Sequence, residues 1–93
     1  MCGSPQLIGD SVAKTIYRAE YRQLVDILRE RREALGISQG ALADRLGWTQ
    51  QKVSFIETGA RRMDVLEYIN IARALGISPT AAFNRAERLA GTE

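Results

Sequence analysis

Gln50 and Gln51 stand side by side between Thr49 and Lys52, with Arg61 and Arg62 a short distance further along the chain. A glutamine carboxamide breaks no covalent bond, but it offers a donor and an acceptor next to each other and suits two-point hydrogen bonding. Bond-making chemistry has far less to draw on. The chain has no histidine and only one cysteine, Cys2, which removes the commonest general base and leaves too few ligands for a tetrahedral zinc site. The eleven acidic residues are scattered, and most have a helix-surface or capping explanation. No enzymatic activity, catalytic residue, bound metal or cofactor is therefore expected, and nothing indicates a small-molecule effector.

Ninety-three residues, 45% hydrophobic and 26% charged, suffice for one core. MCGSPQLIGD has neither a basic start nor an apolar run, so no secretory signal and no membrane span are expected, and the protein is read as soluble and cytoplasmic. Cys2, at the chain end, can close no internal disulfide and agrees with a reducing compartment. The net charge is +2 and the pI about 9.0, too mild an excess to identify a partner. Within that excess the middle is the basic part: residues 38–63 carry four basic and two acidic side chains.

Residues 1–9 combine Gly, Ser and Pro without periodicity and read as a flexible arm. Beyond Asp10 the sequence turns helical. Tyr17, Tyr21, Leu24, Leu28 and Leu35 fall on one stripe of a helix that Gly36 stops. Gly47, Gly59 and Gly76 repeat the stop signal, while Ser38, Thr49, Asp64 and Ser78 stand where N-caps belong. Asp64 is followed by Glu67 as in a capping box, and Pro79 suits a first helical position. The spacing predicts an all-α fold of five helices over 18–35, 39–46, 50–57, 65–75 and 79–89. A short additional helix over 11–16, or an earlier start of the first, is compatible with the pattern. A partly flexible arm over 1–17 and a domain over 18–93 follow. The string ALGIS occurs at 34–38 and 74–78, but shared junction chemistry explains both copies without a repeat array.

Helices two and three are short and separated only by Gly47, Trp48 and Thr49, so they must cross steeply as in a helix-turn-helix. Ala43 is small where the two backbones approach, and Gly47 sits where the chain turns. Leu42 and Leu46 on one helix are spaced to meet Val53 and Ile56 on the other. Inward-facing Val53 and Ile56 turn Gln50, Gln51, Ser54 and Phe55 outward, with Lys52 at the flank. Trp48, Tyr68, Ile69, Ala72, Leu75, Ile77 and Phe83 read as core.

The stretch SQGALADRLGWTQQKVSFIETGARR resembles the helix-turn-helix of the phage repressor and Cro family, also called the Xre family, and the likeness covers about residues 22–89. Gln39, Ala43, Gly47, Val53, Ile56, Glu57 and Gly59 meet the family's spaced positions. The resemblance implies a compact five-helix repressor-like domain and a buried ion pair between Arg32 and Glu57, whose disruption costs about 3 to 5 kcal/mol. It also implies that the outer face of helix three enters the major groove of double-stranded DNA. Gln50 and Gln51 are then the leading base readers, since glutamine pairs bidentately with adenine, and Ser54 and Phe55 share their face. Phe55 departs from the polar residue usual in the family. It either touches a thymine methyl or folds back over apolar surface.

By the same likeness Gln39 and Thr49 contact backbone phosphates at helix N-termini, and Lys52, Arg61 and Arg62 supply the salt-dependent grip. The function implied is transcriptional regulation, foremost repression by a homodimer on an inverted repeat, acting by steric occlusion of a promoter. An antitoxin or restriction-modification controller acting on its own operon is a variant of that reading. A protein-interaction module that keeps the fold without DNA contacts is the rival. Helix five with Leu89 and Ala90, or the segment around Val12, Ile16 and Tyr17, is the expected dimer surface.

Overall fold

Glycine stops and side-chain caps divide the chain into α1 (Gly3–Ala34), α2 (Gln39–Leu46), α3 (Gln50–Thr58), α4 (Val65–Ala74) and α5 (Pro79–Gly91). The computed structural model describes the backbone of residues 3–91 and the side chains of residues 19–91, and it holds no strand among them. Cys2 lies outside the described residues, as do the side chains of Val12, Ile16 and Tyr17.

The main departure from the expected elements is the start of α1. The Gly, Ser and Pro that suggested an arm over residues 1–9 instead open this helix. Pro5 lies in the first turn, where amide donors have no intrahelical acceptor, so its missing N–H costs nothing there. At the other end, the helix stops at Ala34. Leu35 therefore leaves the apolar stripe and is exposed, whereas Leu28 is buried and Tyr21 and Leu24 are partly buried against the core.

Both ALGIS copies form the same junction. The Ile37 amide donates to the Arg32 carbonyl (3.1 Å) and the Ile77 amide to that of Ala72 (3.0 Å), while Gly36 and Gly76 donate to Glu33 (2.9 Å) and Arg73 (3.1 Å). This is the paired bonding of a glycine-terminated helix end. Ser38 and Ser78 then cap the following helices by accepting from Ala41 (3.0 Å) and Ala81 (3.2 Å). Arginines satisfy further helix-end carbonyls: Arg31 Nε donates to Leu75 O at 2.9 Å, and Arg22 Nη2 to Glu57 O at 2.8 Å.

The core gathers around Leu42, Leu75, Val25 and Val53, the largest fully buried side chains, joined by Leu28, Ile56, Met63 and Ile71. Ala43 and Ala72 complete it where helices come closest. Trp48, Tyr68 and Ile77 pack at its edge. Phe83, expected in the core, is 52% exposed. Helix α5 packs on Ile27 of α1 through Ala82 and Ala86, and these small residues let the backbones approach while turning the adjacent Phe83 outward.

Candidate nucleic-acid interface

Helix α3 is set by the three residues that precede it. Gly47 adopts φ +72, and a Cβ placed on it would meet nothing within 4 Å, so the requirement there is for a left-handed backbone and not for space. Across this turn the Trp48 amide donates to the Ala43 carbonyl at 2.9 Å. Thr49 caps α3, its hydroxyl oxygen accepting from the Lys52 amide at 3.2 Å. Val53 and Ile56 are buried and anchor one side of α3. The opposite side carries Gln50, Gln51 and Phe55 into solvent, with Ser54 half-buried beside them. Phe55 is 42% exposed and belongs to neither core cluster.

A relay of polar side chains runs from the core to that outer face. Arg32 Nε and Nη2 donate to the two Glu57 carboxylate oxygens at 2.7 and 2.9 Å, and both side chains are only 10% exposed. The Glu57 bonds raise the arginine's pKa, and Arg32 Nη1 also donates to the Ile37 carbonyl at 2.7 Å. The relay continues outward: Gln39 Nε2 donates to Glu57 Oε1 at 2.9 Å, and Gln50 Nε2 donates to Gln39 Oε1 at 2.9 Å. Gln39 thus spends both ends of its carboxamide inside the protein. A buried charge pair on α1 and α3 thereby fixes, through α2, the side chain at the N-terminus of α3.

A second carboxylate organises the cations beside α3. Glu67 Oε1 and Oε2 each accept a guanidinium N–H of Arg61 at 2.9 Å, and Oε2 lies 3.0 Å from Lys52 Nζ. Lys52 Nζ also stands 4.0 Å over the Trp48 ring, a cation–π contact. Glu67 closes the capping box of α4 as well: its carboxylate accepts from the Asp64 amide (2.9 Å), and its own amide donates to Asp64 Oδ1 (2.7 Å). The Arg61 hydrogen bonds, against the opposing effect of burial, bring the Glu67 pKa down from 4.5 to about 2. The same bonds raise that of Arg61.

The fold therefore joins Gln39 to Gln50 and, through Glu67, Lys52 to Arg61, while Gln51, Ser54 and Phe55 share the outer face of α3 and the Arg61 amide donates to the Phe55 carbonyl at 3.0 Å. Arg62 turns elsewhere, its guanidinium 5.4 Å over the Tyr21 ring of α1. Sequence reasoning missed the larger role of Glu67. The capping-box spacing identified its place at the start of α4, but the cations it binds are brought to it only by the turn between α3 and α4. Among the described residues no group of His, Cys, Asp and Glu side chains could hold a metal ion.

The helix-turn-helix domain family matches residues 23–83. The chain is 42% identical to an XRE-family like protein from Pseudomonas syringae pv. tomato str. DC3000, whose solved structure superposes with a TM-score of 0.80 over 84% of this chain and 95% of that one. The chain belongs to the XRE helix-turn-helix family. An uncharacterized HTH-type transcriptional regulator from Methanothermobacter thermautotrophicus is also similar, 40% identical over 50 residues that make up 54% of this chain and 72% of that protein. The matched residues take in α2, α3 and α4 whole, together with the C-terminal part of α1 and the first turn of α5. Among the described residues of this XRE-family chain, no helix is long and apolar enough to cross a membrane.

Proposed function

We propose that this XRE-family protein binds double-stranded DNA in a sequence-specific manner with α3 in the major groove and represses transcription from the site it covers. The observation that carries the reading is the relay Arg32–Glu57–Gln39–Gln50, which holds an exposed carboxamide at the N-terminus of α3. A floating surface glutamine would lose rotamer entropy on pairing with a base, and one already held in place loses less. Of its two amide protons, Gln50 gives one to Gln39. The other, with the carbonyl oxygen, is enough for a two-point contact to adenine N7 and N6. Gln51 reads a neighbouring base, Ser54 offers its hydroxyl, and Phe55 supplies apolar contact to a thymine methyl.

Thr49 and the N-terminus of α2 at Gln39 face phosphates, and Lys52, Arg61 and Arg62 contribute the electrostatic share of binding. The protein acts on cytoplasmic DNA as a homodimer on an inverted repeat, with α5 as the contact, where Phe83 is 52% and Leu89 40% exposed. No reaction is catalysed.

Selection of bound sequences from a random duplex pool, repeated for Gln50→Ala, tests the reading. The expected result is a defined inverted-repeat site for the wild type and a preference relaxed by about 1 to 3 kcal/mol at one or two base pairs per half-site for the variant. No enrichment by the wild type, or an unchanged site for the variant, contradicts it.

A further inference from the structure

Four donors converge on one carboxylate at the edge of the proposed DNA face. Glu67 takes both guanidinium N–H groups of Arg61, the ammonium of Lys52 and the amide of Asp64, and its side chain is only 12% exposed. The two cations that adjoin α3 therefore share a single counter-charge, and the three side chains together present one net positive charge instead of two. A phosphate approaching Lys52 or Arg61 must compete with a carboxylate already in place. Both cations would otherwise pair with the backbone, because Lys52 has further donors on its ammonium and the Arg61 side chain remains 41% exposed.

We propose that Glu67 restrains the phosphate contacts of Lys52 and Arg61 and so holds down the electrostatic, sequence-independent share of DNA affinity. The proposal rests on the DNA reading above. Phosphate contacts strengthen binding to every duplex alike, whereas base contacts strengthen it to one. Withholding one cation from the backbone thus lowers the general affinity without touching the readers on α3.

The test is the salt dependence of binding to a fluorescein-labelled duplex of arbitrary sequence, compared between the wild type and Glu67→Gln. Glutamine serves as well as glutamate at this position of a capping box, so the variant keeps the cap of α4 while it loses the charge and the acceptor that faces Lys52 and Arg61 Nη2. The expected result is tighter binding and a slope of log affinity against log salt steeper by about one contact. Between about 50 and 200 mM salt the variant then loses roughly three- to four-fold more affinity than the wild type does.

Lys52→Gln alone should flatten the slope by about one contact, and Lys52→Gln with Glu67→Gln should return it to the wild-type value. Glu30→Gln, the same charge change on the exposed side of α1, should leave it unchanged. A wild type that binds in dilute salt, with a Glu67→Gln slope equal to or shallower than its own, overturns the proposal while leaving the DNA reading intact. A wild type that binds no duplex at any salt concentration overturns both.

Discussion

Removing the Glu57 carboxylate would leave the Arg32 guanidinium, at a site where it is 10% exposed, with the Ile37 carbonyl and only the longer, solvent-exposed pair to Glu33 at 3.8 Å. Glu57→Ala should therefore lower stability by about 3 to 5 kcal/mol in urea unfolding, as breaking a buried pair generally does. An exposed pair would lose less than about 1 kcal/mol, so the size of the effect separates the two cases. This pair was expected from the resemblance to the family and not from the spacing of the residues alone. The rest of the relay was not. The Gln39 carboxamide is held by Glu57 and Gln50, 18 and 11 residues away, and only the helix crossing brings them together. The partner that Lys52 and Arg61 share, Glu67, was hidden for the same reason.

At the scale of the element, two glycines of the helix-turn-helix should respond to alanine in opposite ways. Gly40 lies in the first turn of α2 with only the Ser38 hydroxyl within 4 Å of a new Cβ, at 3.9 Å. Gly40→Ala should raise stability by up to about 1 kcal/mol, since alanine gains helix propensity and meets no obstacle. Gly47 at φ +72 has open space as well, yet Gly47→Ala should lower stability by about 1 to 2 kcal/mol because the strain is in the backbone. Thermal melts of the two variants moving in the same direction would contradict this account of the turn.

Helix ends were the most legible feature of the sequence, for glycine, serine and aspartate carry their geometry locally. The start of α1 was not, because Pro5 and its small neighbours are permitted in a first helical turn as readily as in an arm. Phe83 was misplaced for a tertiary reason: the register of α5 is chosen by how closely Ala82 and Ala86 let it approach α1, and no periodicity within α5 reveals that choice.

For the whole molecule, Glu67 ties α4 to the end of α3 and makes stability depend on acid. Its carboxyl is held at about 2 in the folded protein against an ordinary value of 4.5, so its contribution is complete above pH 4.5 and is lost as the pH falls toward about 2. Urea unfolding of the wild type should show this loss. Glu67→Gln, with no carboxyl to titrate there, should show less of it over the same window. The exposed side of α5 governs assembly in the proposed dimer. Phe83→Ser should shift the sedimentation of the protein toward a monomer with little change in melting, since the ring is already 52% in solvent. A mass independent of this substitution would place the dimer contact elsewhere.

The central claim is that the glutamine-bearing side of α3 is the surface that meets DNA. Backbone amide NMR of the protein titrated with its selected duplex tests it most directly. The account predicts the largest shifts at Gln39, at residues 49–55 and at Arg61 and Arg62, with the α4 and α5 surface around Phe83 little changed by the nucleic acid beyond any effect of dimerisation. Shifts centred on α5 that leave Gln50 and Gln51 unmoved would contradict it.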